Sequence, residues 1–177
     1  MFPPNAPPPN APKVQADDKA VAPATPMPNP SYGCGCALTH VYADLMLLYL
    51  MLSGIHRNVD GANFYSLHLM FAELYEQAEA DADRIGEHIR GDYCLKLPMA
   101  PATLQQFSCV QFPPDDACGC DLIDAAIAAH QHLNQSLVMA LTQHEDAAIG
   151  NRGTESILES LAENCSRRLY LLKSHQH

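Results

Sequence analysis

Two histidines and two carboxylates, His56, His68, Asp83 and Glu87, fall in the stretch between Gly54 and Arg90. Imidazole and carboxylate form a borderline-hard ligand set suited to Fe(II), Mn(II) or Zn(II), and open coordination positions would admit oxidant and water to the metal. Asp83 and Glu87 are four residues apart, so on a helix they project from one face and can grip one cation together. His68 precedes Asp83 by fifteen residues, which at ~1.5 Å per residue places it about 22 Å away along the same rod. The histidine and the carboxylates therefore cannot meet within one subunit. A lone helical histidine is ordinarily packed or solvated, and an acidic i, i+4 pair is ordinarily a solvated face; the joint spacing carries the weight.

The elements that must position these groups are helices. From Cys36 onward, Leu38, Tyr42, Leu45, Leu48, Leu52 and Ile55 recur at steps of three and four, and a turn near Asp60-Gly61 ends that helix. A second helix carries Phe64, Leu67, Phe71, Leu74, Ala78, Ala82, Ile85 and Ile89 on one stripe. Gly91 to Pro114 is a long, proline-containing connection with one short helical candidate, Ala102 to Phe107. A third helix is expected from about Asp121 to His144, through Leu122, Ala126, Leu133, Leu137 and Leu141. A fourth is expected from about Thr154 to Leu172, through Ile157, Leu161, Cys165 and Leu169. Adjacent antiparallel helices need only a few linking residues. A long crossover between the second and third helices instead predicts an all-α, ferritin-like four-helix bundle, with a short helix inside the crossover.

At 177 residues the chain suits one domain with tails. Residues 1–33 read as a Pro-rich tail unable to offset its ordering entropy, 34–174 as the bundle and 175–177 as a short C-terminal tail. The formal net charge of -10 and ten scattered Lys and Arg residues argue against tight binding to nucleic acid or anionic membrane. Lys13 and Lys19 are the only basic residues of the tail, the second flanked by Asp17 and Asp18. No charged segment precedes an apolar one at the N-terminus, so a cytoplasmic location is expected. The most apolar run, Leu45 to Leu52, is expected to fall short of the ~20 residues a membrane span needs, and to be a buried bundle helix.

The segment from His56 resembles the first-to-second-helix signature of the Dps family of mini-ferritins. The matching residues are His56, then Gly61-x-x-Phe64-x-x-x-His68, Tyr75, and Asp83-x-x-x-Glu87. The resemblance continues more weakly through Ala102-Thr103-Leu104 and through Thr154 to Leu172, covering roughly residues 38 to 172. It implies a homo-oligomeric hollow shell, a dodecamer. A two-fold axis there lays the second helices of two subunits antiparallel, joining His56 and His68 of one to Asp83 and Glu87 of the other. It further implies ferroxidase activity: Fe(II) bound at these four catalytic and metal-ligating residues, oxidised to Fe(III) by peroxide or oxygen, and stored as mineral, with protection against oxidative stress.

The chain departs from the pattern in three places. Arg57 stands where the family has Trp, and the chain has no Trp. Ala72 stands four residues after His68, where the family has a further carboxylate. One firm metal position, held by His56, Asp83 and Glu87, beside one transient position is therefore expected. Gly150, Asn151 and Arg152 thin the acidic stretch of an iron-entry pore, with Asp146, Glu155 and Glu159 as open substitutes. The alternative activity is a catalytically weak, metal-buffering or structural shell that binds Zn(II). Another di-iron enzyme on the same bundle would carry Glu-x-x-His, and no histidine here has a Glu three residues before it.

Seven cysteines include two Cys-Gly-Cys pairs, Cys34/Cys36 and Cys118/Cys120. The odd count and a reducing compartment argue against a complete disulfide framework. Ferritin-like topology would group Cys34, Cys36 and Cys94 at one end of the bundle, with His40 as an added ligand, as a candidate second metal site. It would place Cys109, Cys118, Cys120 and Cys165 toward the other end, and either group could bind a soft metal. Free thiols are the simpler reading of both groups. His130 and His132, two apart on one helix, should face different directions, and His175 and His177 should be solvated tail residues.

Overall fold

The computed structural model describes residues 34–146 and 151–175, without the side chains of 34–36 and 146. The expectations for residues 1–33 and for His177 fall outside the described residues. Five helices follow in order: α1 Cys34–Asn58, α2 Phe64–Asp92, the short α3 Pro101–Phe107, α4 Gly119–Asp146 and α5 Arg152–Lys173. No strand occurs among the described residues. The long helices are thus the four expected, the short one lies in the crossover, and the architecture is an all-α ferritin-like bundle.

The packing follows the apolar stripes. α1 is the central helix, lying against α2, α4 and α3, while α5 closes the bundle against α4 and α2. It is buried on several faces, through Leu38, Val41, Leu45, Leu48, Leu52 and Ile55 among others. That burial explains its apolarity, and corrects one expectation: Ala37–Asn58 is in fact long and apolar enough to cross a membrane, yet most of it is buried in the bundle. On α2 the stripe from Leu67 to Ile89 is buried as expected. Phe64, at its head, is instead 45% exposed, with its ring stacked on His68 rather than packed in the core.

Local chemistry sets the joints. Gly61, in the α1–α2 turn, has φ +83°, a left-handed conformation that L side chains avoid. Gly86 lets Tyr42 and Leu97 approach α2, since a Cβ there would meet them at 3.1 and 3.3 Å. The Asn151 side chain caps α5 by accepting from the Gly153 and Thr154 amides at 2.9 and 3.4 Å. It also donates to Asp92 at 2.9 Å, and Thr154 meets His88 and Tyr93 at 2.8 Å each. The end of α2 is thereby tied to the start of α5.

Apolar periodicity does not announce the polar groups inside this core. Arg168 of α5 donates to Asp81 of α2 at 2.7 Å, and Asn164 donates to the other carboxylate oxygen at 2.9 Å. Asp44 of α1, fully buried, faces His132 of α4 at 3.5 Å. His130 is buried with its Nδ1 donating to the Ala126 carbonyl at 2.7 Å. Burial, with a smaller contribution from the Arg168 charge, holds the His130 imidazole down to about 4.

This makes the fold acid-labile. Below an unfolded-state pKa of ~6.5 the unfolded chain takes up a proton that folded His130 refuses until about pH 4. His130 therefore supports the fold fully above the unfolded pKa. Its contribution is lost as pH falls through the window down to the folded value, about 3 kcal/mol in all. His132, raised chiefly by the Asp44 carboxylate it faces at 3.5 Å, acts oppositely: its contribution is present at low pH and lost as pH rises through its folded pKa. Urea unfolding at neutral and mildly acid pH should show a loss of stability that His130→Leu largely abolishes. An equal loss in both proteins would refute the assignment to His130.

Candidate metal centre

His56, in the last turn of α1, and His68, in the second turn of α2, are brought together by the Gly61 turn. Their rings stack with centroids 3.8 Å apart. The Nδ1 of His56 meets the His68 carbonyl oxygen at 2.8 Å, and the Nδ1 of His68 meets the His56 carbonyl oxygen at 2.9 Å. A carbonyl only accepts, so both imidazoles carry the proton on Nδ1 in their neutral form and keep a lone pair on Nε2. Fixing the tautomer through a backbone carbonyl is the usual support of a metal-ligating histidine. Tyr75 stands edge-on to His56 at 5.3 Å, and Phe64 lies over His68 at 5.1 Å.

Asp83 and Glu87 lie further along α2, both exposed. They line one groove of about 420 Å³ together with Glu79, Arg90, Tyr42 and Tyr49. Burial and then the Asp83 charge push the Tyr42 phenol above its ordinary value, which places a developing negative charge at Tyr42 in the field of that carboxylate. Tyr49 links the two regions, lining the carboxylate groove and meeting the Tyr75 ring at 6.2 Å. One chain thus carries an imidazole pair at one end of α2 and a carboxylate pair further along it.

Arg57, in place of an aromatic, folds back onto α1, donating to the carbonyl and hydroxyl oxygens of Ser53. Ala72 is half-buried one turn beyond His68 and brings no ligand. At the start of α5, Asn151 is committed to its cap and to Asp92, while Glu159 is exposed. Asp146 has no described side chain.

Of the two expected cysteine groups, the second does not assemble as topology alone suggested, and the first lies partly outside the described residues. The side chains of Cys34 and Cys36 lie outside the description. His40 directs its Nδ1 to the Phe107 carbonyl at 2.5 Å, and Cys94 is an exposed residue with φ +52°. Cys165 is removed from Cys118 and Cys120: it is buried mid-bundle, donates to the His130 carbonyl at 3.2 Å, and is pushed by burial up to about 11. Cys109 sits within the field of Asp44. The length of α4 between Cys120 and His130 separates Cys165 from the Cys118/Cys120 pair. His130 and His132 do face different directions, one toward its own helix carbonyl and one toward α1.

Among known proteins, residues 36–176 match the model of the Ferritin-like domain. A DNA protection during starvation protein of Halobacterium salinarum is 31% identical over 134 residues, 73% of this chain and 71% of that protein. A nutrient stress-induced DNA-binding protein of a Synechococcus species is 30% identical over 135 residues, 75% of this chain and 74% of that one. In solved structures, Dps from Listeria monocytogenes superposes with a TM-score of 0.76 at 16% identity, covering 83% of this chain and 95% of that chain. The Dps protein of Vibrio cholerae, described as a member of a broad superfamily of ferritin-like diiron-carboxylate proteins, gives 0.75 at 17% identity, covering 81% and 89%. At such identities the structural likeness speaks for the fold.

Proposed function

The chain belongs to the ferritin-like family, within it to the Dps mini-ferritins, and from that premise we propose that it is a cytoplasmic ferroxidase whose subunits assemble into a dodecameric shell storing ferric iron. The observation that carries the reading is the locked histidine pair: two Nε2 lone pairs held ready, with Asp83 and Glu87 on the same helix too distant to serve them within one chain. Pairing two α2 helices antiparallel across a two-fold axis supplies each imidazole half-site with a carboxylate half-site. Fe(II) is the substrate. Peroxide takes one electron from each of two Fe(II) ions and, with two protons, leaves as water; oxygen is the alternative oxidant. The ferric product is deposited inside the shell, which removes both reactants of oxidative damage.

Anaerobic Fe(II) loading followed by peroxide should produce iron-retaining particles of oligomeric mass, with peroxide consumed in proportion to iron. A monomer that retains no iron would sink the proposal. The second reading, a Zn(II)-buffering or structural shell, draws on the missing ligand at Ala72, and predicts assembled particles that consume no peroxide. Relatives are named for DNA binding or protection, but a chain of net charge -10 lacks the cationic density phosphate binding needs, and DNA binding forms no part of the proposed function.

Ala72 also sets the expected occupancy. A crystal soaked in modest excess Fe(II) or Zn(II) should show one strong metal per site, at His56, Asp83 and Glu87, and a weaker neighbour beside His68. Ala72→Asp should strengthen the neighbour and speed oxidation. Equal occupancy in the unmodified protein would mean that another residue supplies the ligand.

A further inference from the structure

At the opposite end of the fold's chemistry, the first turn of α4 gathers two thiols and a carboxylate. Cys118 Sγ lies 3.0 Å from Cys120 Sγ and 3.0 Å from Asp121 Oδ2, and Cys120 Sγ lies 4.0 Å from Asp121 Oδ1. Among the described residues this is the one group of potential metal ligands whose donor atoms all lie within 4.8 Å of one another. All three residues are exposed, and the intervening Gly119 has open space where a side chain would stand. We propose that Cys118, Cys120 and Asp121 bind a thiophilic divalent cation of the Zn(II) class, a second metal site chemically distinct from the nitrogen–oxygen centre.

Tetrahedral Zn(II) with bonds of ~2.3 Å to sulfur and ~2.0–2.2 Å to carboxylate oxygen needs its donors roughly 3.5–3.8 Å apart. The sulfurs are 3.0 Å apart and approach the two carboxylate oxygens to 3.0 and 4.0 Å, each within about 1 Å of that range, so exposed side chains reach it by small rotations about Cα–Cβ. Without a cation, the Cys118 thiol donates to Asp121 and is held above its ordinary pKa chiefly by that bond. On binding, each thiol releases its proton to solvent and each sulfur, like the carboxylate, gives a lone pair to the cation; water completes the fourth position. No electron is transferred. Thiolate ligands favour Zn(II) over Fe(II) and Mn(II), so this site should ignore the iron that the histidine–carboxylate centre handles.

The test uses full-length, reduced, metal-free protein titrated without oxygen, with Co(II) as the spectroscopic probe and Zn(II) as competitor. A thiolate-to-Co(II) charge-transfer band in the near ultraviolet is expected, and Zn(II) should abolish it while excess Fe(II) should not. Cys118→Ser/Cys120→Ser should lose the band. His56→Ala and Cys34→Ser/Cys36→Ser should keep it, separating this site from the proposed iron centre and from the other Cys-Gly-Cys pair. Asp121→Asn, which leaves both thiols, should weaken Zn(II) binding about tenfold or more, and serves if the double variant fails to fold. The proposal is overturned by a band that survives in Cys118→Ser/Cys120→Ser, by its absence from the unmodified protein, or by unchanged affinity in Asp121→Asn.

Discussion

Shells made only of His56→Ala subunits, or only of Glu87→Ala subunits, should oxidise Fe(II) at little more than the uncatalysed rate, and co-refolding the two should restore about a quarter of the normal rate. In the proposed centre the first variant lacks an imidazole ligand and the second a carboxylate ligand. If each site takes its histidines from one subunit and its carboxylates from a two-fold partner, a site is intact only when the histidines come from a Glu87→Ala chain and the carboxylates from a His56→Ala chain. Random pairing of equal amounts gives each condition a chance of one half, so about one site in four is whole. If all four ligands came from one chain, no chain in the mixture would hold a full set, and activity would stay at the level of the separate variants. The separation of His68 and Asp83 along α2 is what makes the recovery expected. Particle mass measured on the same mixtures distinguishes failed assembly from an unshared site.

The parts of this molecule legible in its sequence are those written in short-range periodicity. Steps of three and four mark all four long helices, and Ala102 to Phe107 stands out as a helical island in a crossover too long for a simple hairpin, one residue short of the observed α3. The pairing of His56 with His68 was legible as the two ends of a turn, but the reciprocal bonds from each Nδ1 to the other's carbonyl depend on the turn's three-dimensional path. Phe64 fitted the apolar stripe, yet periodicity reports the face a residue occupies and not whether the bundle extends far enough to cover it. The thiols failed in another way. Topology places helix ends, whereas Cys165 lies in the middle of α5, where its height along the rod decides its neighbours. Asp44, Asp81, His130 and Arg168 were hardest to foresee, because a polar residue on a buried face breaks the pattern used to find that face.

Arg168→Ala should be the most destabilising single change among the groups considered, lowering stability by about 3–5 kcal/mol and the midpoint of thermal unfolding by on the order of 10 °C. The guanidinium is fully buried, its Asp81 partner is nearly so, and they meet at 2.7 Å with Asn164 on the second carboxylate oxygen. Removing the cation leaves a buried carboxylate compensated only by an amide. The pair also bears on the proposed centre: at 100° per residue, Asp81 and Asp83 point to nearly opposite sides of α2. Holding Asp81 inward on α5 therefore holds Asp83, and Glu87 one turn on, outward in the groove. Replacing both partners with apolar residues, as in Asp81→Leu/Arg168→Met, should restore most of the lost stability, because no buried charge remains to be solvated. Two measurements at one fixed protein concentration resolve the point. Thermal unfolding of the single and double variants should give a double-variant loss far smaller than the sum of the single losses; simple additivity would mean that the charges act independently. Fe(II) oxidation by the refolded double variant should stay near normal if apolar packing alone keeps the rotation of α2, and should fall if the ion pair is needed to set it.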